Sequence, residues 1–235
     1  MDSGEKRKPD ISIVMPCLDE EKTVGICVDE AWEFIRKNHL QGEVIVVDNG
    51  CRDGSADIAK EHGAFVVKES QKGYGRAIRT GIESSTGKVI MIGDCDTTYD
   101  FLHLEVFYEM LSSGEYDMVI GDRLSGRMQK GAMPLSHKWG VRFLSACARI
   151  RCKTDVRDFH CGLRGLTGEA AEKLFFQTAG MEFATEMIMQ AAKEEIRIGQ
   201  VPVELKCCRF ERRSKLHAIR DGIRHLGYIF FDYKK

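Results

Sequence analysis

Asp94 and Asp96 stand two residues apart, directly after Val89-Ile90-Met91-Ile92, an unbroken apolar run of the kind that forms a buried parallel strand. In extended backbone, residues two apart leave the same side, so the two carboxylates could converge on one hard divalent cation, and such a cation could grip a diphosphate. The apolar run puts the pair at a strand's carboxyl end, where open α/β sheets bind ligands. Asp94, Asp96, Thr98, Asp100 and Glu105 also match most ligand positions of an EF-hand calcium loop. That loop requires Gly where Tyr99 stands, and a helix where a strand precedes, so calcium is set aside. Asp100 is expected to cap a helix that begins near Leu102. A third acid, Asp48, ends another apolar run, Val44-Ile45-Val46-Val47, where it could hold a base or ribose by hydrogen bonds or serve as an ordinary turn acid.

The elements that must position these acids follow from periodicity. Ile11-Ser12-Ile13-Val14-Met15 reads as a strand ended by Pro16, and Asp19 opens a helix whose Val24, Val28, Ala31 and Ile35 share one face. Val44 to Val47, Phe65-Val66-Val67 and Val89 to Ile92 repeat the strand, each after a helix, so four βα units within a hundred residues predict a parallel, doubly wound sheet. Met118-Val119-Ile120-Gly121 is a fifth strand and delivers Asp122-Arg123. Residues 124–134 lack an apolar period and read as a mobile loop. Beyond them the pattern predicts a helix over 135–150, a short strand or turn over 158–164, helices over 169–175 and 182–193, and a last strand over 196–203. Glu182 and Glu186 stack one turn apart on the second of those helices. Leu216, Ile219, Ile223, Leu226 and Phe230 recur at helical spacing, and the apolar face of that final helix is expected either to cover the sheet or, following the basic run, to reach a membrane.

Composition narrows the function. The 235 residues suit one large α/β domain. Charged residues make up 30% at a net charge of only -1, which argues against a general nucleic-acid binder. Positive charge concentrates between Leu205 and Arg224, in a run that includes Arg209, Arg212, Arg213 and Lys215, and suggests a phosphate or an anionic surface. Nine cysteines with no C-x-x-C pair point to a reducing compartment and away from structural zinc. His160-Cys161 lacks an orienting partner for a thiol nucleophile. The first ten residues are polar, without a signal peptide's apolar core, and no run of eighteen apolar residues occurs, so a cytoplasmic location is expected. A dinucleotide fingerprint is absent: Ile78 stands where the third Gly after Gly73-x-Gly75 belongs.

Several stretches together resemble one family. Pro16-Cys17-Leu18-Asp19-Glu20-Glu21 is similar to P-x-x-N-E-E, with Asp19 in place of Asn. Val46-Val47-Asp48-Asn49-Gly50 through Asp53-Gly54-Ser55 is similar to V-V-D-N-G-S-x-D-G-S, with Cys51 in place of Ser. Asp94-Cys95-Asp96 resembles D-A-D, and Gly180-Met181-Glu182-Phe183 and Ser214-Lys215-Leu216 resemble later signatures. The family is that of the family 2 glycosyltransferases with a GT-A fold, and within it the dolichyl- or polyprenyl-phosphate sugar synthases.

The resemblance implies one GT-A domain over 1–235, a Rossmann-like, mostly parallel sheet with helices on both faces. Residues 1–121 would form its nucleotide-sugar half; 122–235 would form its acceptor half, with the amphipathic C-terminal helix. It implies Pro16, Glu20 and Asp48 around the base and ribose, Asp94 close to the nucleotide, and Asp96 on an Mg²⁺ or Mn²⁺ ion bridging the diphosphate. Thr98 stands where some members carry a metal-assisting Gln. Arg123, Arg209, Arg213 and Lys215 would meet the donor diphosphate or the acceptor phosphate, Asp96, Arg123 and Arg213 being the catalytic set. Many relatives continue into transmembrane helices, so peripheral contact at the cytoplasmic membrane face or a membrane-protein partner is expected, with the basic run docking on anionic lipid.

The implied reaction is inverting transfer of a hexose from a donor of the UDP-glucose or GDP-mannose type to a polyprenyl or dolichyl phosphate. A sugar hydroxyl must lose a proton as it attacks and needs a positioned base, for which Glu182 and Glu186 are the candidates, whereas a phosphate oxygen is already anionic and needs cations. Transfer to a sugar or protein hydroxyl is the alternative within the class. A nucleotidyltransferase would be expected to carry a Gly-rich basic loop where residues 16–21 are acidic, and the intact Asp94 and Asp96 count against a non-catalytic nucleotide-sugar-binding module.

Overall fold

A computed structural model of the protein describes residues 8–208, 210 and 218–233. Its elements run β1 (Ile11–Cys17), α1 (Val24–Lys37), β2 (Gly42–Asp48), α2 (Ser55–Glu61), β3 (Phe65–Lys68), α3 (Tyr74–Glu83), β4 (Val89–Ile92), α4 (Glu105–Ser112) and β5 (Met118–Asp122). They continue through α5 (Leu135–Cys152), β6 (Arg164–Thr167), α6 (Gly168–Lys173), α7 (Phe183–Lys193), β7 (Ile198–Pro202), α8 (Ala218–Gly227) and a π-helical turn over Tyr228–Asp232.

The seven strands form one sheet in the order β3-β2-β1-β4-β6-β5-β7. All neighbours pair in parallel except β6, which lies antiparallel between β4 and β5. The central strands are apolar on both faces, with Ile13, Val14, Met15, Val46, Met91 and Ile120 sealed from solvent, because helices cover each side. The expected mostly parallel GT-A sheet is therefore present. Its order sets β2, β1 and β4 side by side, so the carboxyl ends that carry Asp48, residues 16–20 and Asp94 to Asp96 are neighbours.

Several boundaries differ from expectation. Pro16 does not end β1, which runs on to Cys17. Pro16 pairs in register with Val47, whereas β4 has already ended opposite Val14, so the missing N–H falls where no strand remains to accept it. The first helix starts at Val24, not Asp19: the Glu20 carbonyl accepts from the N–H groups of Thr23 and Val24, closing a turn ahead of it. The helix after the acidic loop begins at Glu105, because Asp100 spends Oδ1 on the Leu102 N–H and Oδ2 on Lys206 Nζ, 3.0 Å away. The sixth strand is Arg164–Thr167 and not the preceding polar stretch, and the seventh is the shorter Ile198–Pro202. The segment over 124–134, expected as a free loop, is stitched to the chain after β7 by a Met128–Leu205 bridge and a Gln129 N–H to the Leu205 carbonyl.

The largest correction concerns α8. Its inner face is polar, with Asp221 and His225 buried ahead of Tyr228 and Ile229, while Ile219, Ile223 and Phe230 face solvent. The apolar stripe does not cover the sheet, because His225 is drawn inward by Thr185 Oγ1 at 2.7 Å and by the His160 ring, whose centroid lies 4.6 Å away.

Candidate functional site

At the carboxyl edge of the sheet, Asp48 closes β2 and accepts at Oδ1 from the N–H groups of Gly50 and Cys51, at 3.0 and 2.8 Å. Burial pulls its pKa upward, but those N–H donors prevail and hold the carboxyl below the usual range, so it is ionised at neutral pH. The next residue, Asn49, is a brace that the sequence reading missed. Its amide donates to the carbonyls of Glu69 and Gln71, and its oxygen accepts from the Gly73 N–H, tying the end of β2 to the start of α3. Gly73 sits at φ 150°, and a Cβ there would come within 2.1 Å of the Ala179 carbonyl oxygen, so only glycine fits.

Residues 16–21 fold over this edge. The Glu20 N–H donates to Ser55 Oγ at 2.7 Å, and Asp53 accepts from the Glu21 N–H and the Ser55 hydroxyl. Cys51, in the place of the familiar Ser, brings its sulfur to 3.9 Å from that of Cys17. Hydrogen bonding to Cys17, together with burial, pushes the Cys51 thiol well up, so it stays protonated. Asp19, Cys51 and Asp53 gather closely enough to suggest a metal group. A protonated thiol and carboxylates spent on backbone N–H groups do not suit a hard cation, and that cluster is read as turn structure.

Asp94 and Asp96 follow β4. Asp96 is buried and its Oδ1 accepts from the N–H and hydroxyl of Thr98, which explains Thr98 as a brace on this carboxylate. Asp94 is approached from two sides. The half-buried Tyr74 at the start of α3 brings its hydroxyl near it, and burial, then the Asp94 charge, keep that phenol protonated. On the other side a Cβ at Gly162 would lie 2.3 Å from Asp94 Oδ2, so the glycine makes room for the carboxylate. The two acids thus offer hard oxygen donors just past β4, a donor set of the kind that suits Mg²⁺ or Mn²⁺.

Arg123 reaches the same edge from the end of β5. It is nearly buried, and Asp158 holds it by two bonds, Nε to Oδ2 at 2.6 Å and Nη2 to Oδ1 at 2.8 Å. Burial works against the charge on each partner, yet their mutual attraction holds the Asp158 carboxyl low and the guanidinium protonated. Nη1 makes no hydrogen bond among the described residues. Tyr99 lies between the two groups of acids and bases, its hydroxyl accepting from the Gly162 N–H at 2.9 Å and its ring within reach of the charges of Arg123 and Asp94. Arg209, Arg212, Arg213 and Lys215 lie outside the described residues.

The two candidate bases part company. Glu186 is fully buried and accepts from the N–H groups of Gln177 and Thr178 and from the Thr178 hydroxyl, so it pins the loop that carries Ala179 and is no solvated helix-face residue. Glu182 caps the Gly180 N–H with Oε1, while its buried Oε2 has no hydrogen-bond partner among the described residues. Cys161 is sealed from solvent, and burial pushes its thiol up to about 11, which leaves no thiolate nucleophile there.

The chain is similar to known proteins along most of its length. The low-salt glycan biosynthesis hexosyltransferase Agl6 of Haloferax volcanii is 35% identical over 222 residues, 94% of this chain and 53% of that protein, so the chain spans about half of Agl6. A dolichyl-phosphate hexose transferase from the same organism is 28% identical over 83% of this chain and 82% of its own length. The crystal structure of glucosyl-3-phosphoglycerate synthase from Mycobacterium tuberculosis, in complex with Mn²⁺, UDP-glucose and phosphoglyceric acid, superposes with a TM-score of 0.76 at 20% identity, over 94% of this chain and 79% of that one, a likeness of fold. The sequence model for glycosyl transferase family 2 matches residues 12–175, taking in the β1 edge, the Asp94-x-Asp96 loop and Arg123, and by that match the chain belongs to glycosyl transferase family 2.

Proposed function

We propose that the chain transfers a hexosyl group, with inversion, from a nucleotide sugar to the phosphate of a polyprenyl lipid. Residues 1–121 hold the donor and the rest of the domain holds the acceptor. Asp48, Pro16 and Glu20 bind the base and ribose, and Asp94 and Asp96 face the diphosphate. A divalent cation held on those two acids, when bound, neutralises the charge that grows on the departing diphosphate.

An acceptor phosphate oxygen attacks the anomeric carbon, the new C–O bond forms, and the bond to the diphosphate breaks on the opposite face. The attacking oxygen is already anionic, so no proton has to be removed. Arg123 orients that phosphate through its remaining edge, and Asp158 keeps the guanidinium fixed, so little side-chain entropy is lost on binding. Arg209, Arg213 and Lys215 complete the cationic end in this reading.

The observation that carries the proposal is Arg123: a guanidinium locked by Asp158, its Nη1 without a hydrogen bond among the described residues, at the same sheet edge as Asp94 and Asp96. The dolichyl-phosphate hexose transferase among the relatives supports the same acceptor class. A second reading, transfer to a hydroxyl, is favoured by the unpartnered Glu182 Oε2, an oxygen that could take a proton. The test is transfer of radiolabelled hexose to a short polyprenyl phosphate by the wild type, Glu182→Gln and Arg123→Ala. The lipid-phosphate reading expects Glu182→Gln to stay active and Arg123→Ala to fail. An inactive Glu182→Gln, a normal Arg123→Ala and a better sugar-hydroxyl acceptor would establish the second reading in its place.

A further inference from the structure

Arg164 opens β6 and is only 1% exposed, the largest of the fully buried side chains among the described residues. Nε donates to the Cys161 carbonyl at 3.1 Å, Nη2 to the carbonyls of Cys161 and Phe159, and Nη1 to the Ala184 carbonyl at 3.2 Å and to Met187 Sδ. All the N–H groups of the fork are thereby used, and every acceptor is neutral. A cation buried without an acid beside it is costly, where an apolar side chain of the same size would not be. What an apolar side chain could not supply is the tie. The guanidinium binds Phe159 and Cys161 to α7, whose residues from Phe183 to Met189 are all buried.

The place of Arg164 in the sheet gives that tie its meaning. Because β6 runs antiparallel, Arg164 pairs with Ile92 of β4 on one side and with Ile120 of β5 on the other. Asp94 follows the first of these by two residues, and Arg123 follows the second by three. Residues 158–162, which lead into β6, therefore run past the carboxyl ends of both strands, between the two groups. They meet each of them. Asp158 grips Arg123, and Gly162 lies so close to Asp94 that a Cβ there would come within 2.3 Å of Oδ2. Tyr99, in the loop that carries both acids, holds the same segment: its hydroxyl accepts from the Gly162 N–H at 2.9 Å and from the Cys161 thiol at 3.7 Å.

We propose that Arg164 and Tyr99 are positioning residues for sugar transfer: by clamping residues 158–162, the one to α7 and the other to the acid loop, they fix the separation between Arg123 and Asp94. The clamp matters on the reading that the donor lies at Asp94 and the acceptor at Arg123, on which this inference rests. The two ends of the site then stand at a set distance before either is occupied. A misplacement of about 1 Å between reacting groups can cost about a hundredfold in rate. Hydrolysis of the donor by water uses the donor end alone and does not depend on that separation.

The experiment compares the wild type with Arg164→Lys, Arg164→Met and Tyr99→Phe, with Mn²⁺ and with UDP-glucose and GDP-mannose as donors, folding being checked by thermal melts. Lys keeps the charge without the planar fork, Met removes both, and Phe removes only the hydroxyl. For transfer to a short prenyl phosphate, kcat is expected to fall about a hundredfold in the Arg164 variants and about tenfold in Tyr99→Phe, with both KM values held within about twofold. Donor hydrolysis in the absence of acceptor should stay at the wild-type rate, so the ratio of transfer to hydrolysis falls with kcat. A purely structural role would lower both rates together, through the fraction of folded protein, and leave their ratio where it was. A wild-type ratio in folded Arg164→Met or in Tyr99→Phe overturns the proposal, and Tyr99→Phe decides it alone if no Arg164 variant folds. Should the wild type glycosylate a sugar hydroxyl and no prenyl phosphate, the lipid-phosphate reading falls, and the same ratio taken with the hydroxyl acceptor decides the clamp.

Discussion

Asp158 grips Arg123 through two parallel bonds in a place that water scarcely reaches, although 35 residues separate them. Removing one partner of such a pair leaves an uncompensated buried charge. Asp158→Ala should cost about 3–5 kcal/mol of stability, and replacing both residues by apolar ones of similar size should cost less than the single change. Denaturant melts of the three proteins check this. A single variant no less stable than the double would mean that the pair does not act as a unit.

For Asp96, Asn is the informative replacement, because its amide oxygen can still accept from the Thr98 N–H and hydroxyl and so spare the loop. Turnover should fall by roughly a hundredfold or more, with Mn²⁺ affinity in the presence of nucleotide diphosphate falling alongside it. Wild-type turnover in excess EDTA would remove the metal from this scheme.

Asp48 has two tasks that substitution can separate. Asn keeps an acceptor for the Gly50 and Cys51 N–H groups, while Ala does not. Both should weaken nucleotide binding by roughly 1–3 kcal/mol, but only Ala should also lower the melting temperature. Calorimetric titration with UDP and GDP settles the first point and a thermal melt the second; equal affinities for wild type and both variants would exclude Asp48 from the donor site.

His225 is held neutral, its pKa lowered to about 4 chiefly by burial, against the opposing pull of the Glu182 and Asp221 charges. The unfolded chain takes up a proton near the ordinary imidazole value of 6.5 and the folded chain does not, so stability is full above that pH and declines as the pH falls toward 4. The loss should amount to about 3 kcal/mol across that window. His225→Asn should flatten the slope of melting temperature against pH there; an unchanged slope would show that His225 does not titrate between the two states.

Legibility in the sequence followed locality. Asp94, Asp96 and Asp48 could be read because each follows the apolar run that places it, and the βα repeat gave the sheet that aligns them. Tyr74 and Asn49 could not, since one meets Asp94 from a helix start and the other braces a loop more than twenty residues on. Asp158 was hidden for a further reason: it precedes the one strand that runs backwards, and no periodicity announces an antiparallel insertion. The α8 face was misread because an amphipathic pattern says only that the two sides differ, and here the buried His225, Thr185 and His160 claim the inner side.

That reversed strand also sets the chain between β5 and β6 apart as an excursion from the sheet. Ile120 pairs with Arg164, so the chain leaves the sheet after β5 and returns beside its point of departure, with residues 123–163 as a closed excursion between. Closing such an excursion costs only about 0.6 kcal/mol more for each doubling of its length. Asp48, Asp94 and Asp96 all lie before it, at the ends of β2 and β4, and the excursion packs against Asp94 where it returns, at Gly162. An excursion of another length or charge can therefore be accommodated ahead of Gly162 while the ends of β2 and β4 stay as they are.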